Sequence, residues 1–373
     1  MFSIYIIYSM SGEIAKFINE LHFKKFSEPP RSIRRSPNNI HGIESGAIPP
    51  LKLVREKNPE LLNTKINILF HGFYYNTMGY CETFETGRVL IALYMSFYMS
   101  RPTYLNIKDA FYCVSHVDGI HKVDSPPEID LVVIRSDYDD KYTKKYTRHA
   151  KRIVIMPVYS HAQKCDFMFE NSFFFKCSYE KSLLYAVRPE KKNIILINGT
   201  LIGRKGPHQF IRDVDPEIIK NYTVVMVGSD PDNAYSKIKR LAEEKQIDTV
   251  YIPYICSNEM HRLVVHCKFQ VCYCSKGWTD ANPRSLNEGI YAGLPYLISD
   301  LVEFPNSFRN PEWVGKLGVV CKHDDPTDLN DKMRTLMKMD NESVYDFCEK
   351  ECGHDTVCQE ITERVFLKWN ELR

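Results

Sequence analysis

Ile194-Ile-Leu-Ile-Asn-Gly-Thr-Leu-Ile-Gly-Arg-Lys-Gly206 is the stretch that decides the fold. Its four leading apolar residues read as a short strand covered on both faces, the form taken in parallel sheets. The strand runs directly into a glycine-bearing loop, and a helical stretch follows from Pro207 to Val214. Repetition of strand, loop and helix builds a doubly wound parallel sheet. The loop also carries chemistry. Glycines let backbone amides approach a phosphate, and a helix N-terminus adds a positive end. Lys205 supplies a point charge, while Arg204 offers bidentate donors to a diphosphate. No Ser or Thr follows the lysine, so this is not a Walker loop. Taken alone, the same residues also fit a solvated turn.

The pattern continues outward from this stretch. Downstream apolar runs at Thr223–Val227, Thr249–Ile252, Phe269–Cys274, Pro295–Ser299 and Leu317–Val320 read as further strands. Helical stretches near Asn233–Gln246, Asn258–Cys267, Pro283–Ala292 and Pro326–Lys338 alternate with them. Upstream, Ile66–Phe70, Ile129–Ile134 and Ile153–Val158 are continuous apolar runs of the same parallel type. A loop with Gly72 and Gly79 and a helix across Thr83–Met99 follow the first of them. Phe173–Phe175 and a helix near Tyr179–Val187 close that half. A last helix is expected over His354–Leu372. Ligands of such sheets sit at the carboxyl ends of the strands.

Residues 1–64 read as an extension rather than a domain. His22–Pro50 mixes Lys24, Lys25, Arg31, Arg34 and Arg35 with five prolines, a composition that buries too little apolar surface to offset chain entropy. It fits a solvated linker, or a basic patch for an anionic membrane surface. The whole chain of 373 residues is 44% hydrophobic with a formal charge of +2. That length suits two domains with their own cores, and near-neutrality argues against nucleic-acid binding. Twelve scattered cysteines, several inside apolar runs, act as small hydrophobes rather than a disulfide framework. With no signal-like N-terminus and no run of roughly 20 apolar residues, the expected location is cytoplasmic, with at most peripheral membrane contact.

Two further constellations matter. Asp280-Ala-Asn-Pro-Arg-Ser-Leu-Asn-Glu288 places one carboxylate in a loop and a second on a helix that Pro283 opens. Carboxylates accept hydrogen bonds from hydroxyls, whereas the cations of the first loop attract phosphates. That division of polarity fits a nucleotide sugar. A helix-start carboxylate favoured by the macrodipole is the plainer reading of Glu288. Val227-Gly-Ser-Asp-Pro-Asp232 is another strand-to-helix turn. Asp137–Asp139, Asp213–Asp215 and Asp230–Asp232 match Asp-x-Asp, yet none sits beside a second ligand cluster. Cys348, Cys352, His354 and Cys358 have a spacing unlike common zinc sites and read as thiols on a helix. No metal site is expected.

The order of segments over residues 193–340 resembles the donor-binding domain of retaining GT-B glycosyltransferases, the large family-4 or group 1 class. Val224–Asp232 is similar to that family's strand and glycine turn, and Tyr251–Met260 to its strand and base-contacting turn. Asp280 to Glu288 resembles its Glu-x7-Glu, continued by Ala292–Asp300, while Gly318–Val320 with Asp324–Pro326 resembles its last strand and helix cap. The resemblance implies two facing Rossmann-like domains with a C-terminal helix crossing back to the first. The expected boundaries are 1–64 for the extension, 65–190 for the acceptor-side domain, 191–353 for the donor-binding domain and 354–373 for the crossing helix.

By the same resemblance, the activity is retaining transfer from a nucleoside-diphosphate sugar to a hydroxyl acceptor on a glycan, lipid or protein. No cofactor or metal is implied. Lys205, with Arg204, would hold the diphosphate, Asp280 the sugar hydroxyls and Glu288 the ribose. Backbone at Gly203, Gly228, Pro283, Arg284, Ser285 and Leu286 would face sugar and phosphate. Tyr254 and Ile255 would line the base, and Gly79 would close over the ligand. The family has Glu at the place of Asp280 and Arg at the place of Thr200, and its first-domain His is absent here. Those departures keep two alternatives open: a sugar-nucleotide-binding pseudoenzyme, and an epimerase or hydrolase on the same fold.

Overall fold

The computed structural model describes residues 12–21, 67–71, 103–107, 110–115, 119–125, 127–135, 151–156, 167–168, 188–253, 255, 257–274, 284–302, 313–351 and 371. The chain divides into two compact units, one of Met1–Ser27 with Lys181–Lys350, the other of Glu28–Glu180 with Glu351–Arg373.

The second of these contains a seven-stranded sheet: β1 Ile68–His71, β2 Thr103–Ile107, β3 Ala110–Ser115, β4 Gly119–Val123, β5 Leu131–Arg135, β6 Lys151–Met156 and β7 Phe167–Met168. Their order is β4-β3-β2-β1-β5-β6-β7. β1 lies between β2 and β5, parallel to both, with Leu69 and Leu131 fully buried. The strands read from Ile66, Ile129 and Ile153 are therefore present. Unforeseen are β2, β3 and β4, whose mutual pairing is antiparallel. Ile107 pairs with Ala110, and a connection of two residues can join only antiparallel strands. The helices expected over Thr83–Met99 and Tyr179–Val187, and the Phe173–Phe175 segment, lie outside the described residues, as does all but residue 371 of the expected last helix.

The other unit is built on six strands: β8 Ile194–Asn198, β9 Thr223–Val227, β10 Thr249–Ile252, β11 Phe269–Cys272, β12 Tyr296–Ser299 and β13 Gly318–Cys321. All pair in parallel, in the order β10-β9-β8-β11-β12-β13. The helices are α1 Glu13–Glu20, α2 Pro207–Asp213, α3 Pro216–Ile219, α4 Ala234–Glu244, α5 Ser257–Val264, α6 Arg284–Tyr291, α7 Pro326–Leu336 and α8 Asn341–Glu351. Side chains alternate across the sheet with a period of two. Ile195, Ile197, Val224, Met226, Phe269, Val271 and Tyr273 join Phe210 of α2, Ile238 of α4 and Leu329 of α7 in one apolar core. Each such fully buried side chain contributes about 1.5–3 kcal/mol. On the other face, Gln270 of β11 meets α6 at Gly289. The chain winds one way from β8 to β10 and the other way from β11 to β13, so the topological switch falls between β8 and β11.

α1 belongs to this unit although residues 28–180 of the chain belong to the other. Ala15 and Ile18 are buried, the Phe17 ring meets His266 edge-on at 4.9 Å, and Lys192 Nζ lies 4.8 Å over Phe17. Ile14, Ala15, Phe17 and Ile18 carry the helical spacing behind this docking.

A lysine joins the ends of two helices to the side of a third. Lys191 Nζ donates to the carbonyls of Val265 (2.8 Å) and Ala292 (2.5 Å), just past α5 and α6. It also donates to the Tyr345 hydroxyl of α8 at 3.1 Å. Helix C-terminal carbonyls lack intrahelical donors, so a cation there satisfies them directly. Burial holds the Lys191 ammonium down, from its ordinary 10.5 to about 8, against the raising fields of Cys267 and Glu342. Among the described residues no helix is long and apolar enough to cross a membrane.

Lys191→Met leaves two carbonyls without their donor, which costs about 1–3 kcal/mol at pH 7 and lowers Tm by about 2–4 °C per kcal/mol. Between pH 8 and 10.5 the unfolded chain keeps a proton that folded Lys191 has released, so stability from this site rises with pH. Thermal melts of wild type and variant across that range check both effects; parallel pH dependences would remove the buried-ammonium account.

Candidate functional site

The carboxyl ends of β8, β9 and β11 meet at the switch point. Past their ends the first two strands stay zipped: Gly199 N–H donates to Val227 O at 2.8 Å and Leu201 N–H to Ser229 O at 2.8 Å. A Cβ on Gly228 would stand 1.9 Å from Gly199 O, and its φ of +148° is also one that disfavours a side chain. Gly228 thus acts first as the close-approach residue between two loops. Tyr251 reinforces it, its hydroxyl donating to Gly228 O at 2.9 Å while its ring stacks on Tyr235 at 4.5 Å.

After Ile202 the chain makes a 3-10 turn, Gly203–Lys205, and Gly206 then opens α2 with φ +68°. A Cβ on Gly206 would lie 1.5 Å from Tyr273 O. The loop is therefore seated with backbone on backbone against the end of β11. Gly203 differs, since a Cβ there would meet nothing within 4 Å. Lys205 ends the turn half-buried. Arg204 shares that turn. Thr200, standing where the resemblance expects Arg, accepts from Ser229 Oγ at 3.4 Å.

Glu288 lies on the second turn of α6, half-buried, with Oε2 accepting from Asn198 Nδ2 at 3.3 Å. Asn198 Oδ1 in turn accepts from Gln270 Nε2 at 2.7 Å. The glycine loop and Glu288 therefore share one rim, the carboxyl ends of β8 and β11. Ile255 is buried, and Leu286 is fully buried on α6. Arg284 and Ser285 form the first turn of α6. Gly79, Tyr254, Asp280 and Pro283 lie outside the described residues.

Two of the three Asp-x-Asp pairs contain residues that serve the fold. Asp230 caps α4 by accepting from Ala234 N (2.6 Å) and Tyr235 N (2.9 Å). Asp215 caps α3, and buried Asp213 accepts from Arg212 Nε at 2.6 Å. Asp137–Asp139 falls outside the described residues. Of the cysteine cluster, Cys348 is buried on α8, and Cys352, His354 and Cys358 are likewise outside them. Sequence reading did not single out Gly206, Gln270 or Gly289. The one available signal was a polar Gln inside the apolar run Phe269–Cys274.

Two units each built on a sheet, one of them a doubly wound parallel sheet with a glycine loop at its switch point, make this a GT-B fold. Residues 186–349, which include the six-stranded sheet, match the sequence profile described as Glycosyl transferases group 1. A glycosyltransferase structure from Rickettsia africae ESF-5 superposes with a TM-score of 0.54 at 12% identity, over 83% of this chain and 99% of that one. The structure of Anabaena HepE in complex with UDP-glucose gives 0.49 at 12% identity, over 81% and 100%. No curated protein sequence matches the chain.

Gly206→Ala must push the loop off β11 and hold a side chain at positive φ, a loss of about 2–4 kcal/mol. Gly203→Ala has open space and is expected within about 0.5 kcal/mol of wild type. Denaturant unfolding of both variants checks the contrast. A Gly206→Ala chain as stable as wild type would dissolve the seating.

Proposed function

We propose that the chain transfers a sugar from a nucleoside-diphosphate sugar to a hydroxyl acceptor with retention of configuration. The observation that carries this reading is the glycine loop with Lys205, seated beside Glu288 on one rim of a sheet that matches group 1 glycosyl transferases. Backbone amides at the start of α2 suit a diphosphate, and Lys205 with Arg204 adds charge beside it. Glu288 suits ribose hydroxyls, and Asp280 the hydroxyls of the transferred sugar.

In the proposed reaction the bond between the anomeric carbon and the diphosphate oxygen breaks on the face where the acceptor oxygen arrives. The new glycosidic bond forms on that face, and the acceptor proton passes to the departing diphosphate. No protein nucleophile is used. Lys205 and the amides at the start of α2 stabilise the charge that grows on the leaving diphosphate, and fixed cations take the place of a metal ion. The reading also places the reaction in the cytoplasm, where buried thiols such as Cys267, Cys274 and Cys321 stay reduced.

A panel of nucleotide sugars screened by thermal shift identifies the donor, because a ligand raises apparent stability by mass action. Mass spectrometry of products with and without acceptor sugars then separates transfer from hydrolysis or epimerisation. Donor binding with neither transfer nor hydrolysis would favour a pseudoenzyme and overturn the proposal. With the donor known, Lys205→Ala is expected to lower turnover about a hundredfold or more, since one preorganised donor is worth about 3–4 kcal/mol. A fall under about threefold removes Lys205 from the mechanism. Activity should persist in chelator, and its full loss there would contradict metal independence.

A further inference from the structure

We propose that Gln270 and Asn198 form a one-way hydrogen-bond relay that fixes the Glu288 carboxylate for a ribose diol, making both of them positioning residues for nucleotide recognition. The inference rests on the ribose role given to Glu288 above. Gln270 is a polar side chain on central strand β11, only 1% exposed and on the face turned to α6. A buried amide in such a place is costly unless hydrogen-bonded. Its Nε2 donates to Asn198 Oδ1 at 2.7 Å, and Asn198 Nδ2 donates to Glu288 Oε2 at 3.3 Å.

The direction of the relay follows from what each group can do. A carboxylate only accepts, so Asn198 must present its NH2 to Glu288. That choice turns Asn198 Oδ1 inward, where only a donor can meet it. Gln270 must then present Nε2, which sends its Oε1 toward α6. Gly289 is the residue at that spot, and a Cβ there would stand 1.7 Å from Gln270 Oε1. The missing side chain at Gly289 thus makes room for the amide, and the amide locks Asn198 in one orientation. Glu288 is held through Asn198 from inside the sheet, so its carboxylate meets a ligand already oriented. Preorganisation of this kind raises affinity by lowering the ordering cost of binding.

The test compares UDP, GDP and ADP with their 2′-deoxy counterparts by titration calorimetry on the full chain. Removing one hydrogen bond to a charged group changes an equilibrium constant by about tenfold or more. Wild type is expected to prefer at least one ribonucleotide over its deoxy form by about that factor. Gln270→Leu is expected to cut the preference to under about threefold, while affinity for the deoxy form stays within about twofold. Gly289→Ala displaces Gln270 without removing a polar group and should do the same, so it serves if Gln270→Leu fails to fold. Wild type that binds none of the six nucleotides overturns the proposed function, and the relay with it. Discrimination that survives in both variants, or affinity for ribo and deoxy forms that falls equally, overturns the relay alone.

Discussion

Everything at the site depends on backbone meeting backbone where side chains are excluded. At the switch point β8 pairs with β11, and the chain leaving β8 must return at once to cover the end of that neighbour. Gly206 allows this, because its α-carbon rests on the Tyr273 carbonyl at a distance no Cβ would permit. Gly228 does the same between the loops that follow β8 and β9. The two contacts fix how the first turn of α2 stands over the sheet, and so where amides, Lys205 and Glu288 can converge. A larger residue at either glycine would separate those loops without touching any charged group.

The six-stranded unit was the most legible part of the chain, for a physical reason. Parallel strands buried on both faces are short apolar runs with no alternation, and all six were read within about two residues of where they lie. Helix starts were legible where proline occupies the first turn, as at Pro207 and Pro326. The helix ends were read too long, because amphipathic spacing continues past the last hydrogen-bonded turn into residues such as Gln246 and Lys338. β2 to β4 escaped notice because Thr103–Val123 mixes aromatic, charged and polar residues, with Asp118-Gly119 as its only clear turn signal. α1 escaped because a short apolar spacing beside a long basic, proline-rich tract is outweighed by its surroundings.

The candidate site was legible only where chemistry and local sequence coincide. Gly203, Lys205 and Glu288 stand in recognisable contexts, a strand-to-helix loop and a helix start. Two of the Asp-x-Asp pairs, which lack a second ligand cluster, contain helix caps: Asp230 and Asp215 do this well because short carboxylates accept from unpaired N–H groups. Asn198, Gln270 and Gly289 gave little signal because their relation is non-local. Asn198 meets Gln270 across 72 residues and Glu288 across 90. No periodicity in one strand or helix reports a bond made between three of them.

The two faces of the six-stranded sheet explain why a polar chain of groups belongs where it is. The face under α2, α4 and α7 is apolar from Ile195 to Tyr273, and its packing supplies stability without directing anything. The face toward α6 contains Gln270, in register with Leu196, and Asn198 two residues further along β8, beside the switch point. An apolar pair in those positions would pack with less desolvation, so the amides are a cost to the fold that apolar packing elsewhere must offset. Sequences tend to break their own local rules where function demands it. Here the breach is a glutamine in a buried strand and a glycine in a helix, each needless alone. Together they admit one amide in one orientation, and through Asn198 that amide leads to the carboxylate at the rim.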